Sequence, residues 1–435
     1  MTPVPLTKDQ EKANNAFLDF LVSDENFFVI QGAAGTGKSF LIKHLLETFY
    51  SRYKAYCLML QKEVKEFDIK ITATTNKAVS VLEDFLEPIL STRPEIQVAT
   101  IYSLLGLKVQ NDYKTGKTTL TFSGSHSKFA ANSGVIPLVF IDEFSFASDE
   151  LQEIIENTLV TGAQAKVVYV GDKYQLAPVG QTTCSVEKLQ CTKTEMNEIV
   201  RNSGHILNTG TQFRRTVETG IFNPIHFNNH DVIHCTGAEF RNLVEASFGD
   251  PNWDPSKSRI LAWTNERVQQ YNKHIRSYLN LPEKFQAGEA VITNEYITGT
   301  RSYHKSVDSW VRITRVMPDP VIQYGIVGYM VELDGVHVGF LPDDHKKTKD
   351  LLKKLAKEKE WKKYFEIKET WLDLRPIYAS SVHKAQGSTY ETVFLDLFDI
   401  GQNWNATDVA RLLYVGFTRA SKKVVCYGYL PDRYC

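Results

Sequence analysis

The chain has only six cysteines in 435 residues, at positions 57, 184, 191, 235, 426 and 435, and no two share a C-x-x-C spacing. That pattern excludes the usual zinc-finger and zinc-ribbon frameworks and reads as reduced thiols of an intracellular protein. No apolar run approaches a membrane span, and the start, MTPVPLTKDQEKANN, lacks the apolar core of a signal peptide. The expectation is a soluble, cytoplasmic protein with no membrane partner. A charge excess is missing as well: 50 Lys and Arg against 51 Asp and Glu leave a net charge of −1. No global basic field announces a nucleic acid, so any such partner needs a local groove. Low-complexity tracts and solenoid-period repeats are also absent, and the length suggests about three domains.

Short β-branched runs alternate with helical stretches instead. FFVI (27–30), IKIT (69–72), PLVFI (137–141) and KVVYV (166–170) are each followed by turn residues and amphipathic sequence. A second set, RILAW (259–263), PIYAS (376–380), TVFLDL (392–397) and KVVCYGY (423–429), repeats the pattern. Runs of this kind predict two α/β units with parallel sheets and helices on both faces. Two segments interrupt them. Residues 107–122 alternate about a KTGK turn and predict a β-hairpin, and 285–373 combine strand-like pieces with the Lys/Glu-rich helical stretch 343–369.

GAAGTGKS (32–39) fits G-x-x-x-x-G-K-[ST] and sits between an apolar strand and a helix. Its members Gly32, Ala33, Ala34, Gly35, Thr36 and Gly37 would wrap a triphosphate with backbone N–H groups. Lys38 would reach the β- and γ-phosphates, and the Ser39 hydroxyl would ligand Mg²⁺. VFIDEFS (139–145) places Asp142 at a strand end to share that Mg²⁺, with Glu143 beside it as acceptor of a proton from water. Gln175, in VGDKYQLAPVG (170–180), would orient water or sense the γ-phosphate. ATP with Mg²⁺ is the expected cofactor pair.

Together these motifs resemble the superfamily 1B, RecD-like DNA helicases, and among them the small phage Dda-type helicases. LTKDQEKA resembles the adenine-reading motif, with Gln10 as base contact and Gly387 also near the nucleotide. TATTNKAV (72–79), ATIYSLL (99–105), EIVRNSGHI (198–206), ASSVHKAQGST (379–389) and LLYVGFTRA (412–420) resemble the remaining motifs in order. Thr74 stands where the family often has proline, Tyr102 where it usually has histidine, and Asn76 where close relatives have histidine.

The resemblance implies two RecA-like P-loop lobes with ATP in the cleft between them. Lobe 1 would be 1–106 and 136–192, and lobe 2 would be 193–284 and 374–435. A pin hairpin (107–135) would be inserted in the first, and an SH3-type barrel with a helical tower (285–373) in the second. Lobe 1 would supply Lys38, Ser39, Asp142, Glu143 and Gln175; lobe 2 would supply the arginine finger Arg201, with Arg214 and Arg215 as rivals, and Arg419. Thr75, Asn76, Ser103, Ser381, His383 and Lys384 would hold DNA, and Tyr113 or Phe122 would stack at the junction. The implied activity is 5′-to-3′ translocation with duplex separation by a monomer. The partners are single-stranded DNA, single/double-strand junctions, and single-strand-binding or replication proteins, in a phage-infected cell. A protein-stripping translocase, a P-loop kinase for a small acceptor and an inactive recruitment module remain as alternatives.

Overall fold

The computed structural model describes residues 5–111, 118–122, 135–177, 184–200, 204–298, 303–305 and 307–434. The chain divides into two units, one of Met1–Lys108 with Phe122–Ile221, the other of Val109–Thr121 with Phe222–Cys435.

The first unit is built on six parallel strands: β1 (Phe27–Gly32), β2 (Glu66–Ala73), β3 (Gln97–Thr100), β6 (Val135–Asp142), β7 (Lys166–Gly171) and β8 (Thr192–Met196). Between β3 and β6, β4 (Leu107–Asn111) and β5 (Thr118–Phe122) pair as a separate two-stranded sheet. The spatial order is β3-β2-β6-β7-β1-β8. Successive side chains serve opposite faces of this sheet. Phe28, Ile30, Leu138, Phe140, Val168 and Val170 pack into one core. Val29, Val139, Ile141, Val167 and Tyr169 pack into the other. With both faces covered, these strands bury most of their residues, which is why the four early runs are rich in apolar and β-branched side chains.

One strand lies beyond the expected boundary. β8, TKTEM, pairs in parallel with β1 from Phe28↔Thr192 to Gly32↔Met196, so the first unit continues past residue 192 and runs to Ile221. Alternate residues of this edge strand face solvent, and only Thr194 and Met196 are buried, so it carries no apolar run to betray it.

The second unit contains five parallel strands: β9 (Val232–Cys235), β10 (Ser258–Ala262), β18 (Ala379–Ser381), β19 (Tyr390–Asp396) and β20 (Ala420–Tyr427), in the order β18-β10-β19-β20-β9. Between β10 and β18 come β11 (Ala290–Thr293), β14 (Trp310–Gln323), β15 (Ile326–Leu333), β16 (His337–Pro342) and β17 (Leu374–Pro376). These five form an antiparallel sheet ordered β16-β15-β14-β11-β17, and β12 (Ile297–Thr298) pairs with β13 (His304–Lys305) beside it. Helices His345–Lys357 and Trp361–Thr370 follow β16, and their Leu355 and Ile367 pack with Ile326, Phe340 and Trp371. Two parallel α/β sheets are the arrangement of two RecA-like domains. Among the described residues no helix is long and apolar enough to cross a membrane.

Candidate functional site

In the first unit the chemistry-bearing residues leave the sheet at one edge. Ala73 of β2 is paired with both Thr100 of β3 and Asp142 of β6, and Asp142 is paired with Val170 of β7. Gln31 of β1 faces Gly171. The carboxyl ends of five neighbouring strands are therefore level, which is where open parallel sheets bind ligands.

The phosphate loop follows β1. Gly37 has φ 79°, and a Cβ there would come 2.6 Å from Gln10 Nε2, so glycine is required on both grounds. Gly32 is equally confined, since a Cβ would meet Thr36 Oγ1 at 2.6 Å. Thr36 is fully buried and its hydroxyl donates to the Ala33 carbonyl at 2.9 Å. Lys38 opens the helix Lys38–Met59, and its ammonium donates to the carbonyls of Gly32 (2.8 Å) and Ala33 (3.2 Å). Ser39 follows, half-buried.

Gln10 braces this loop from outside it. Its Oε1 accepts the Thr7 N–H at 3.0 Å, completing a capping box at the helix Lys8–Val22, while Nε2 donates to the Thr36 carbonyl at 3.0 Å. The residue assigned to base recognition is thus also a structural tie, and it is 1% exposed.

At the end of β6 the backbone is strained. Glu143 has φ 54°, a left-handed conformation uncommon for a residue with a side chain. Its N–H turns back to donate to Asp142 Oδ1 at 2.9 Å. Desolvation, and then the Glu143 carboxylate, push the Asp142 carboxyl up to about 7, against the pull of the Glu143 N–H and the Lys38 ammonium. Glu143 Oε2 is buried without a hydrogen-bond partner among the described residues. One carboxylate, one hydroxyl and an orphaned carboxylate oxygen make an all-oxygen donor set, which fits Mg²⁺ held jointly with phosphates. No group of three His, Cys, Asp or Glu side chains suited to a metal occurs among the described residues, so an all-protein cage is not the arrangement.

Gln175, 3% exposed, lies on the turn after β7, with its N–H on the Asp172 carbonyl at 3.2 Å. Thr75, Asn76 and Ser103 stand exposed just past β2 and β3. Thr75 caps the helix Asn76–Leu90 by accepting the Ala78 N–H.

Arg201 and Tyr113 lie outside the described residues, as does the Phe122 side chain. The chain leading to Arg201 is described, and it belongs to the first unit, not the second. Asn197 and Glu198 donate their N–H groups to Asp9 Oδ2 at 2.7 and 2.9 Å, and Val200 N–H donates to the Gly35 carbonyl at 3.0 Å. Asp9 was not singled out in the sequence; its only signal was a place in the first helical turn beside Gln10.

In the second unit Ser381 ends β18 and caps the turn Val382–Ala385 through the Lys384 N–H. His383 is exposed. Lys384 is engaged within the unit: Nζ donates to Asn294 Oδ1 at 2.9 Å and lies 3.8 Å from Asp308, which also pairs with Arg375. Gly387 has φ 77° on the loop to β19. Arg419 joins the helix Ala406–Thr418 to β20 and is 8% exposed. Its guanidinium donates to the carbonyls of Ser388 (3.1 Å) and Val415 (3.3 Å) and to Thr418 Oγ1 (3.2 Å).

Residues 5–237, just over half of the chain, match the AAA domain family, and residues 376–427 match the UvrD-like helicase C-terminal domain. The ATP-dependent DNA helicase dda of Enterobacteria phage T4 is 22% identical, with 96% of this chain and 98% of that protein aligned. An uncharacterized protein of Acanthamoeba polyphaga mimivirus is 24% identical over 96% and 98%. Among solved structures, Pif1 helicase from Bacteroides in complex with ADP-AlF3 and ssDNA superposes with TM-score 0.54, at 14% identity over 99% of this chain and 94% of that one. A Pif1 structure solved to explain unwinding at forked dsDNA gives 0.55 at 16% identity, over 99% and 94%.

Proposed function

The chain belongs to the AAA domain family and is a superfamily 1B helicase of the Dda/Pif1 type, an ATP-hydrolysing DNA helicase, and we propose that it moves 5′ to 3′ along single-stranded DNA. The observation that carries the catalytic part is Glu143, a strained residue with an orphaned buried carboxylate oxygen beside Asp142 at the phosphate-loop edge.

That geometry supports the following roles. Backbone N–H groups of Gly35, Thr36 and Gly37 and the Lys38 ammonium bind the β- and γ-phosphates. Ser39 and Asp142 would hold Mg²⁺, which, when bound, neutralises phosphate charge. Glu143 accepts the proton of the attacking water, and Gln175 orients that water from the next strand. Arg201 supplies the finger from the segment held to Gly35. Arg419, with its fork on Ser388, shapes the Gly387 loop.

Thr75, Asn76 and Ser103 contact the DNA backbone from the strand ends beside Asp142, so phosphate chemistry and strand grip share one sheet edge. Ser381 and His383 do the same in the second unit. The hairpin β4–β5 is the duplex-separating pin, and the antiparallel sheet with its two helices is the SH3-type barrel and tower.

One duplex carrying either a 5′ or a 3′ single-stranded tail tests the reading. With ATP and Mg²⁺, only the 5′-tailed substrate should be unwound. Unwinding from the 3′ tail alone would overturn the polarity, and unwinding of neither would favour a translocase that displaces bound proteins.

A further inference from the structure

Asp172 directly follows β7, with 0% exposure, inside the turn that carries Gln175. Its Oδ1 accepts the Tyr174 N–H at 3.1 Å, and its carbonyl accepts the Gln175 N–H at 3.2 Å. The turn is therefore shaped by Asp172, and a fully buried carboxyl group calls for polar partners around it.

One such partner comes from the helix His205–Thr219. Arg214 Nε lies 3.8 Å from Asp172 Oδ1, its Nη2 donates to Glu195 Oε1 of β8 at 3.1 Å, and its Cζ stands 4.4 Å over the Tyr174 ring. The side chain is 12% exposed. A planar, forked guanidinium can face two carboxylates and cover a ring at once, hydrogen-bonding Glu195 and lying beside Asp172; a lysine ammonium would serve one of them. These contacts engage the guanidinium within the first unit.

We propose that Arg214 is a positioning residue for ATP hydrolysis: it holds the Asp172–Gln175 turn against the last helix of the first unit and so sets the Gln175 amide. The inference rests on Gln175 acting on the γ-phosphate or its water. Arg214 Nη1 also donates to Asn197 Oδ1 at 3.5 Å, a bond to the described stretch that bears on Gly35 through Val200. A displacement of the helix would then move Gln175 out of register, and misplacing a catalytic group by about 1 Å can cost roughly 10²-fold in rate.

The test is a double-mutant cycle on the full chain, measuring ATP turnover with Mg²⁺ and a poly(dT) oligonucleotide. Arg214→Gln should lower kcat by roughly 10–100-fold with KM for ATP within about twofold. In the Gln175→Ala background the same change should add almost nothing, because both act through one group. Arg214→Lys should recover part of the loss. If Arg214→Gln does not fold, as judged by thermal melting, Arg214→Lys carries the same cycle. Full multiplication of the two single effects, or a raised KM at unchanged kcat, would overturn the proposal. A wild-type kcat in Gln175→Ala alone would instead remove the role of Gln175, and the positioning role with it.

Discussion

Val200 donates its backbone N–H to the carbonyl of Gly35 at 3.0 Å. This bond, with the two that Asp9 accepts from Asn197 and Glu198, holds the approach to Arg201 against the phosphate loop. The loop is thus gripped twice from distant sequence, by that segment and by Gln10 through Thr36.

Glu143→Gln should separate binding from chemistry. The amide keeps the volume and a donor oxygen but cannot accept the proton, so kcat should fall by about 10²–10⁴ while ATP still binds. Single-turnover hydrolysis alongside fluorescent-nucleotide binding measures the two effects. A parallel loss of binding would place Glu143 among the binding residues.

Gln10→Ala removes a buried side chain, half of a capping box and the tie to Thr36. Urea denaturation should show a loss of about 1–2 kcal/mol. KM for ATP should rise as well, because the freed loop must be ordered on binding.

Phe122→Ala, at the end of β5, should reduce unwinding of a 5′-tailed duplex and leave DNA-stimulated ATP hydrolysis near wild type. Stacking on an unpaired base is worth roughly 1–3 kcal/mol, enough to separate the assays. An equal fall in both would mean that the residue only supports the first unit.

His383 and Lys384 are neighbours with different surroundings, and the salt dependence of DNA binding distinguishes them. Lys384→Ala should leave the slope of log K against log salt unchanged, because its ammonium is held by Asn294 and Asp308. A slope smaller by about 0.7 would instead show one released phosphate contact on a single strand. His383→Ala should weaken binding if the proposed contact of this exposed residue with the strand holds.

The amino-acid sequence by itself determined the catalytic edge of the first unit. A phosphate loop is a local device of glycines, a lysine and a hydroxyl at set spacing, and Asp142 is marked by the apolar strand that it ends. The parallel sheets were legible for a similar reason: central strands covered on both faces are rich in apolar, β-branched residues. Tertiary structure decided what depends on partners from elsewhere in the chain. β8 is an edge strand of threonine, lysine and glutamate, and only its ladder with β1 makes it a strand. Arg214, Arg419 and Lys384 are cations that lie against Asp172, Ser388 and Asn294, each brought near by folding. A charged side chain declares its sign in the sequence, but which opposite charge or carbonyl takes it up is settled only by packing.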